Sequence, residues 1–285
     1  MKKIGFIGVG IMGRSMVRNL MKHGYELHIY ARHPQKVADV VAEGAHFHDT
    51  ITSCVKASEA VITMVGYPSD VEEVYLGENG IFAAAANGTL LIDMTTSSPR
   101  LAKMLYAHGK ARSLAVLDAP VTGGDSGAKA GTLTILVGGE KAAYEQAYPL
   151  FQAMGTHIYY CGEAGRGQHM KLANQIMIAG ALSGVSEAAA YIQKQGMDPQ
   201  EMIDDLKAGA AGSRQLELLG PKMVRHDFAP GFFVKHFIKD MRLADAEAKE
   251  DGLQLNVLQT VLDNFEQLAE EGHADDGTQC LITRY

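Results

Sequence analysis

The sequence predicts an α/β protein: a doubly wound sheet domain, then a long linking helix and an all-helical C-terminal domain. Two observations carry this. Through the first half, apolar β-rich runs alternate with helical stretches, and after about Gly162 the strand signal stops. A glycine-rich turn, Gly8-Val9-Gly10-Ile11-Met12-Gly13, also stands directly after the first apolar run. The expected division is 1–163 for the sheet domain and 164–285 for the linking helix and helical domain.

Strands are expected at Lys3–Gly8, Glu26–Tyr30, Ala60–Val65, Thr89–Asp93, Ala115–Asp118, Thr132–Val137 and His157–Tyr160. Most are continuously apolar rather than alternating, as strands covered on both faces are. Helical stretches such as Met12–His23, Pro34–Glu43 and Ser98–His108 separate the earlier ones, which implies right-handed βαβ units in a parallel sheet. Asp118-Ala119-Pro120-Val121-Thr122-Gly123-Gly124 reads as a strand ending in a stiff glycine-rich loop. Further on, Lys171–Gln195, Pro199–Ala208, Ser213–Lys222, Lys239–Asp251 and Asn256–Glu270 read as helices. Gly196-Met197-Asp198-Pro199 supplies a stop, a cap and a proline in the first helical turn.

Composition bounds the function classes. With 285 residues the chain can bury a sizeable core, and 47% hydrophobic with 21% charged residues is ordinary for a soluble globular protein. A net charge of -7 argues against nucleic-acid binding. Cys54, Cys161 and Cys280 are scattered and odd in number, which fits a reducing compartment, and a cytoplasmic location is expected. Leu172–Ile192 is apolar, but Asn174, Gln175, Ser183, Ser186 and Glu187 interrupt it, so a buried helix is expected rather than a membrane span. No HxxxH spacing or acidic cluster points to a metal, and none is expected.

The glycine turn has the context a dinucleotide site needs: strand before, helix after, second strand beyond. Gly8 permits the tight turn, Gly10 lets backbone approach a pyrophosphate, and Gly13 allows close helix–strand packing. The following helix N-terminus, with Ile11 and Met12, would hold the phosphates through free N–H groups and the helix dipole. This is the Rossmann-type pattern. An NAD enzyme usually carries an acid at the end of the second strand. Here Tyr30-Ala31-Arg32-His33 offers Arg32, with Lys36 one turn on, and both suit a 2′-phosphate. NADP is therefore the expected cofactor, with NAD as the alternative.

A hydride-carrying cofactor needs a partner that moves a proton. In Gly165-Arg166-Gly167-Gln168-His169-Met170-Lys171-Leu172-Ala173-Asn174, Lys171 and Asn174 share a helix face and can meet one small molecule. Lysine suits acid/base work because its pKa falls readily on burial. Backbone N–H groups of Thr122-Gly123-Gly124 could form a nest for a substrate carboxylate, with the Thr122 hydroxyl as a further donor.

These motifs, in this order, resemble the β-hydroxyacid dehydrogenase family, which includes 3-hydroxyisobutyrate dehydrogenases and tartronate semialdehyde reductases. The resemblance rests on Gly5 to Gly13 with Asn19-Leu20, on Asp118 to Gly124, on Gly165 to Asn174, and on Lys239-Asp240. It implies Lys171 as catalytic acid/base, with Thr122, Gly123 and Asn174 contacting substrate. It also implies Lys239 on the cofactor side, Thr95 beside the nicotinamide ribose, and Met64-Val65 beside the cofactor. A small carboxylate or aldehyde substrate and a homo-oligomer, dimer or tetramer, are expected.

The chain departs from the family pattern at three places. Gln175 stands where many members carry a second asparagine, which is nearer the tartronate semialdehyde reductase type. Met64-Val65-Gly66-Tyr67 replaces a usual Leu-Pro, and Lys235-His236 replaces an acid and a leucine. Two other functions share this fold: imine reduction, whose enzymes generally lack the lysine, and non-catalytic cofactor binding. Lys171 counts against both.

Overall fold

Residues 1–285 are described by a computed structural model that divides into two compact units, Met1–Lys171 and Leu172–Tyr285. In chain order the first unit runs β1 (Lys3–Ile7), α1 (Ile11–Lys22), β2 (Glu26–Tyr30), α2 (Ala38–Ala42), β3 (His46–Phe47), α3 (Ile51–Lys56) and β4 (Ala60–Thr63). It continues with α4 (Pro68–Leu76), α5 (Ile81–Ala84), β5 (Leu90–Asp93), α6 (Pro99–Lys110), β6 (Ala115–Asp118), β7 (Val121–Thr122), α7 (Gly124–Ala130), β8 (Leu133–Gly138), α8 (Lys141–Met154) and β9 (Gly155–Gly162). Then α9 (Arg166–Lys194) leads into α10 (Pro199–Leu206), α11 (Arg214–Val224), α12 (Val234–Glu250) and α13 (Asn256–Leu268).

Strand side chains alternate between two apolar layers, which is what doubly wound means in residues. Ile4, Phe6, Ala60, Ile62, Leu90, Ile92 and Leu117 pack against Met16, Val17 and Leu20 of α1 and Leu150 and Phe151 of α8. Ile7, Val61, Leu91 and Val116 point the other way, to Cys54 of α3, Tyr75 of α4, Phe82 of α5 and Leu105 of α6. Both faces are covered, so the strands read as continuous apolar runs.

The sheet order is β3-β2-β1-β4-β5-β6-β8-β7, with β9 beside β8. From β3 to β6 all pairs are parallel, as expected. The far edge is not. β8 runs antiparallel to β6 and β7, and β9 runs parallel to β8. A parallel return needs a crossover of about a dozen residues or more, and the short α7 allows only the antiparallel one. Short strands β3 and β7 were not among the expected strands, and helices α3, α4, α5, α7 and α8 join the three helical stretches named as examples.

Helix starts follow their caps. Ser98 Oγ accepts the Leu101 N–H before Pro99, and Asp198 Oδ1 accepts the Gln200 N–H at 2.8 Å before Pro199. α9 begins at Arg166, one turn earlier than the expected Lys171. Its cap comes from β6, as described below.

In the second unit, Leu172, Ala179, Leu182, Val185 and Ala189 of α9 enter a core with Met223, Met241, Phe237 and Phe265. Phe237 and Phe265 meet edge to face at 5.2 Å. α9 is long and apolar enough to cross a membrane by length and composition alone. It is buried on one side only: Met177 is 68% and Tyr191 63% exposed, which corrects the expectation of a buried helix.

Candidate active site

The glycine turn behaves as three different positions. Gly8 has φ +96, and a Cβ there would collide with the Met64 carbonyl. A Cβ at Gly13 would collide with the carbonyl of Gly8, so helix and strand touch at this point. Gly10 differs: a Cβ there meets nothing within 4 Å, so the space above the turn is open to a ligand. Gly10 also caps α1, with no side chain bonded to the helix start and no acid in its first turn. Ile11 is 55% exposed at that start, and Met12 packs on the core edge. The N–H groups and dipole of this terminus suit a diphosphate.

Arg32 follows β2 with its side chain 70% exposed and reaches Asp70 Oδ1 at a long 3.4 Å. Lys36 is exposed, and its carbonyl accepts from the Arg14 guanidinium. Met64 and Val65 extend β4: Met64 N–H donates to Ile7 O at 2.9 Å, and Val65 N–H donates to Thr95 Oγ1 at 3.0 Å. Thr95, 1% exposed, donates its own N–H to Asp93 Oδ1 at 3.1 Å, and Thr63 Oγ1 donates to the same oxygen at 2.7 Å. Burial pushes the Asp93 carboxyl up to about 6, against the pull of these hydroxyl and amide donors.

The glycine-rich loop places Thr122 in β7, paired with Thr134 of β8. Gly123 (φ +132) and Gly124 (φ +65) then turn the chain into α7. No side chain caps α7, though Asp125 in its first turn binds the Ser126 N–H at 2.8 Å.

Two residues the sequence reading gave no role, Asp118 and Gln168, organise the start of α9. Asp118 accepts the N–H groups of Gly165 at 2.8 Å and Gln168 at 2.9 Å, and so caps α9 from the end of β6. Glycine is required at 138 and 167 because a Cβ at either would crowd this carboxylate. Burial raises the Asp118 pKa, and the backbone donors oppose it. The Gln168 side chain, fully buried, accepts from Ser97 N–H at 2.9 Å and donates to Thr95 O at 2.7 Å. Lys171 lies one turn further on and is 6% exposed. His169 is exposed, as a polar neighbour would be.

In the second unit, Asn174 Nδ2 donates to Gln175 Oε1 at 2.8 Å, and Gln175 Nε2 donates to Asp240 Oδ2 at 2.7 Å. Lys239 Nζ stands 2.8 Å from Asp240 Oδ1, a charge pair poorly aligned for a hydrogen bond. Burial lowers the His236 pKa, with the neighbouring lysines adding to it.

One histidine pair at i, i+2 spacing, His46-Phe47-His48, bears on the expectation of no metal. His28 Nδ1 lies 2.9 Å from His48 Nε2, and His28 stacks on His46 at 5.2 Å. No three His, Cys, Asp or Glu side chains are placed to hold an ion.

Residues 3–162 match the family model for the NAD binding domain of 6-phosphogluconate dehydrogenase. Residues 165–285 match that for the NAD-binding region of NADP-dependent 3-hydroxyisobutyrate dehydrogenase. These matches, with the fold and the glycine turn, define an NAD(P)-dependent oxidoreductase. The chain belongs to the β-hydroxyacid dehydrogenase family. It is 48% identical to the uncharacterized oxidoreductase YkwC of Bacillus subtilis, over 98% of this chain and 97% of that one. It is 40% identical to 2-hydroxy-3-oxopropionate reductase of Escherichia coli, over 98% and 96%. A solved structure of Mycobacterium tuberculosis 3-hydroxyisobutyrate dehydrogenase with L-serine is similar at 29% identity and a TM-score of 0.90, covering 100% of this chain and 99% of that one.

Proposed function

We propose that the protein interconverts a small semialdehyde carrying a carboxylate and the matching 3-hydroxyacid, with NADP(H) preferred over NAD(H). When bound, NADPH supplies a hydride to the carbonyl carbon. Lys171 donates a proton from its ammonium to the carbonyl oxygen as that oxygen gathers negative charge. The observation that carries this reading is the setting of Lys171. It is buried, one turn beyond a helix start held by Asp118 and tied through Gln168 to Thr95.

Gly8, Gly10, Ile11, Met12 and Gly13 would cradle the diphosphate, and Arg32 with Lys36 the 2′-phosphate. Met64, Val65 and Thr95 would line the nicotinamide ribose, with Lys239 also on the cofactor side. Thr122, Gly123, Gly124 and Asn174 would hold the substrate. The name of the Escherichia coli relative supports a 2-hydroxy-3-oxo acid as substrate. The exposed apolar side chains of Met177 and Tyr191 on α9 support self-association, and three free cysteines support a reducing, cytoplasmic setting. Light scattering tests the first point.

The deciding experiment follows NADPH consumption with glyoxylate, succinic semialdehyde, methylmalonate semialdehyde and tartronate semialdehyde. Turnover of a carboxylate-bearing semialdehyde is expected. No turnover with any of the four, by protein that binds NADPH, would sink the proposal.

A further inference from the structure

Three polar side chains of the second unit form one directed chain, Asn174 to Gln175 to Asp240. Gln175 is 1% and Asp240 2% exposed, so water does not compete for these bonds. Gln175 Nε2 donates to Asp240 Oδ2, and this bond sets the sense of the Gln175 amide. That turns Gln175 Oε1 toward Asn174, where an amide nitrogen satisfies it and an amide oxygen would not. The sense of the Asn174 amide is thus fixed by a carboxyl group two side chains away. With Nδ2 committed to Gln175, Asn174 Oδ1 faces the other side.

We infer that Gln175 is a positioning residue that holds the Asn174 carbonyl oxygen toward the substrate, selecting substrates with a hydrogen-bond donor beside the reacting carbonyl. This rests on Asn174 contacting the substrate, as proposed above. A hydroxyl or ammonium on the neighbouring carbon donates to Oδ1, whereas a methyl there leaves the oxygen unpaired. Sites that bond a substrate hydroxyl reject the analogue without it far more strongly than apolar pockets separate homologues.

The test compares glycerate with 3-hydroxyisobutyrate, which differ by hydroxyl against methyl. Calorimetry on the protein saturated with NADP+ gives affinities, and steady-state kinetics on the two semialdehydes give kcat and KM. The unmodified protein is expected to favour the hydroxyl-bearing partner by about 10,000-fold. Gln175→Met, of similar volume, is expected to shrink this preference to about threefold, with NADPH affinity unchanged.

Gln175→Glu supplies a signature that a merely structural role would not. A protonated glutamic acid donates to Asp240 and accepts from Asn174, as glutamine does; a glutamate cannot donate. The preference in this variant should survive near about pH 5 and disappear near about pH 9, while the unmodified protein keeps it at both. Equal affinity for the two acids in the unmodified protein, or a full preference in Gln175→Met, would overturn the inference. If Lys171→Ala is inactive at the same time, the proposed function stands without it. Full turnover in Lys171→Ala strikes at the proposed function instead.

Discussion

The Asp118 carboxylate accepts the backbone N–H of Gln168 at 2.9 Å across 50 residues of chain, and this bond sets where α9 begins. A helix N-terminus has unpaired N–H groups that a local Ser, Thr or Asp usually satisfies. Here the preceding residues are Glu163-Ala164-Gly165, and the acceptor comes instead from the end of β6. Helix position is thereby tied to the strand that leads into the Thr122 loop.

Replacing Asp118 with Ala should lower the unfolding free energy by about 2–3 kcal/mol, since it strands two buried donors. Asp118→Asn keeps one accepting oxygen and should lose about half of that. Urea unfolding followed by circular dichroism reads both. An alanine variant as stable as the unmodified protein would mean that α9 finds its start without this cap.

The buried Asp93 gives stability an unusual sign against pH. Its carboxyl is raised from 3.8 to about 6, chiefly by burial. Below 3.8 it is protonated in both states and its contribution is fully present. As pH rises to about 6 the unfolded chain releases a proton that the fold still holds, so stability falls by up to about 3 kcal/mol. Beyond 6 the loss is complete. Asp93→Asn removes this slope, so its stability relative to the unmodified protein should improve between about pH 4 and 7. Asp118, raised in the same direction, adds its own charge repulsion to the Asp93 shift, so Asp93→Asn also eases the titration of Asp118 and the two effects share one sign. A stability difference independent of pH would show that Asp93 is not titrating across this range.

Gly10 and Gly13 should separate cofactor binding from folding. A methyl at Gly10 enters open space, so Gly10→Ala should cost only about 0.5–1 kcal/mol as a helix cap while obstructing the diphosphate. A methyl at Gly13 meets the Gly8 carbonyl, so Gly13→Ala should unfold at markedly lower urea. Unfolding curves and NADPH fluorescence titrations on both variants decide it. If Gly10→Ala bound NADPH normally, the phosphates would lie elsewhere.

What the sequence made legible follows from how local each cause is. The glycine turn, the apolar strands and the Asp198-Pro199 cap are written in adjacent residues, and the fold carries each. The antiparallel edge formed by β8 and β9 depends on how a short helix returns the chain, which no periodicity records. Asp118 was visible as the end of a motif, but its partners at 165 and 168 are brought there by the sheet. Gln175 stood out as a departure from the family pattern. Only its bonds to Asn174 and Asp240 give that departure a physical meaning.

Arg32 is 70% exposed and holds Asp70 only at 3.4 Å, so little opposes its turning to a 2′-phosphate. Arg32→Ala should weaken NADPH by the roughly 1.5–3 kcal/mol of a charged hydrogen bond, about tenfold or more, and leave NADH unchanged. Fluorescence titration with each cofactor measures this. Tighter binding of NADH by the unmodified protein would reverse the assignment.

Lys171 carries the proposed chemistry, and its replacement should separate binding from turnover. If its ammonium donates the proton, Lys171→Ala should lower kcat by about 100-fold or more while NADPH still binds. Lys171→Arg should not restore the rate, because guanidinium stays protonated at any working pH and has a different shape. Because Lys171 sits one turn beyond Gln168, Gln168→Ala should also reduce kcat, by misplacing the amine rather than removing it. An added primary amine tells the two apart: it should partly restore turnover in Lys171→Ala, where the amine is missing, and not in Gln168→Ala. Near-normal turnover of the alanine variant with every semialdehyde would move the proton donor to Lys239 or water.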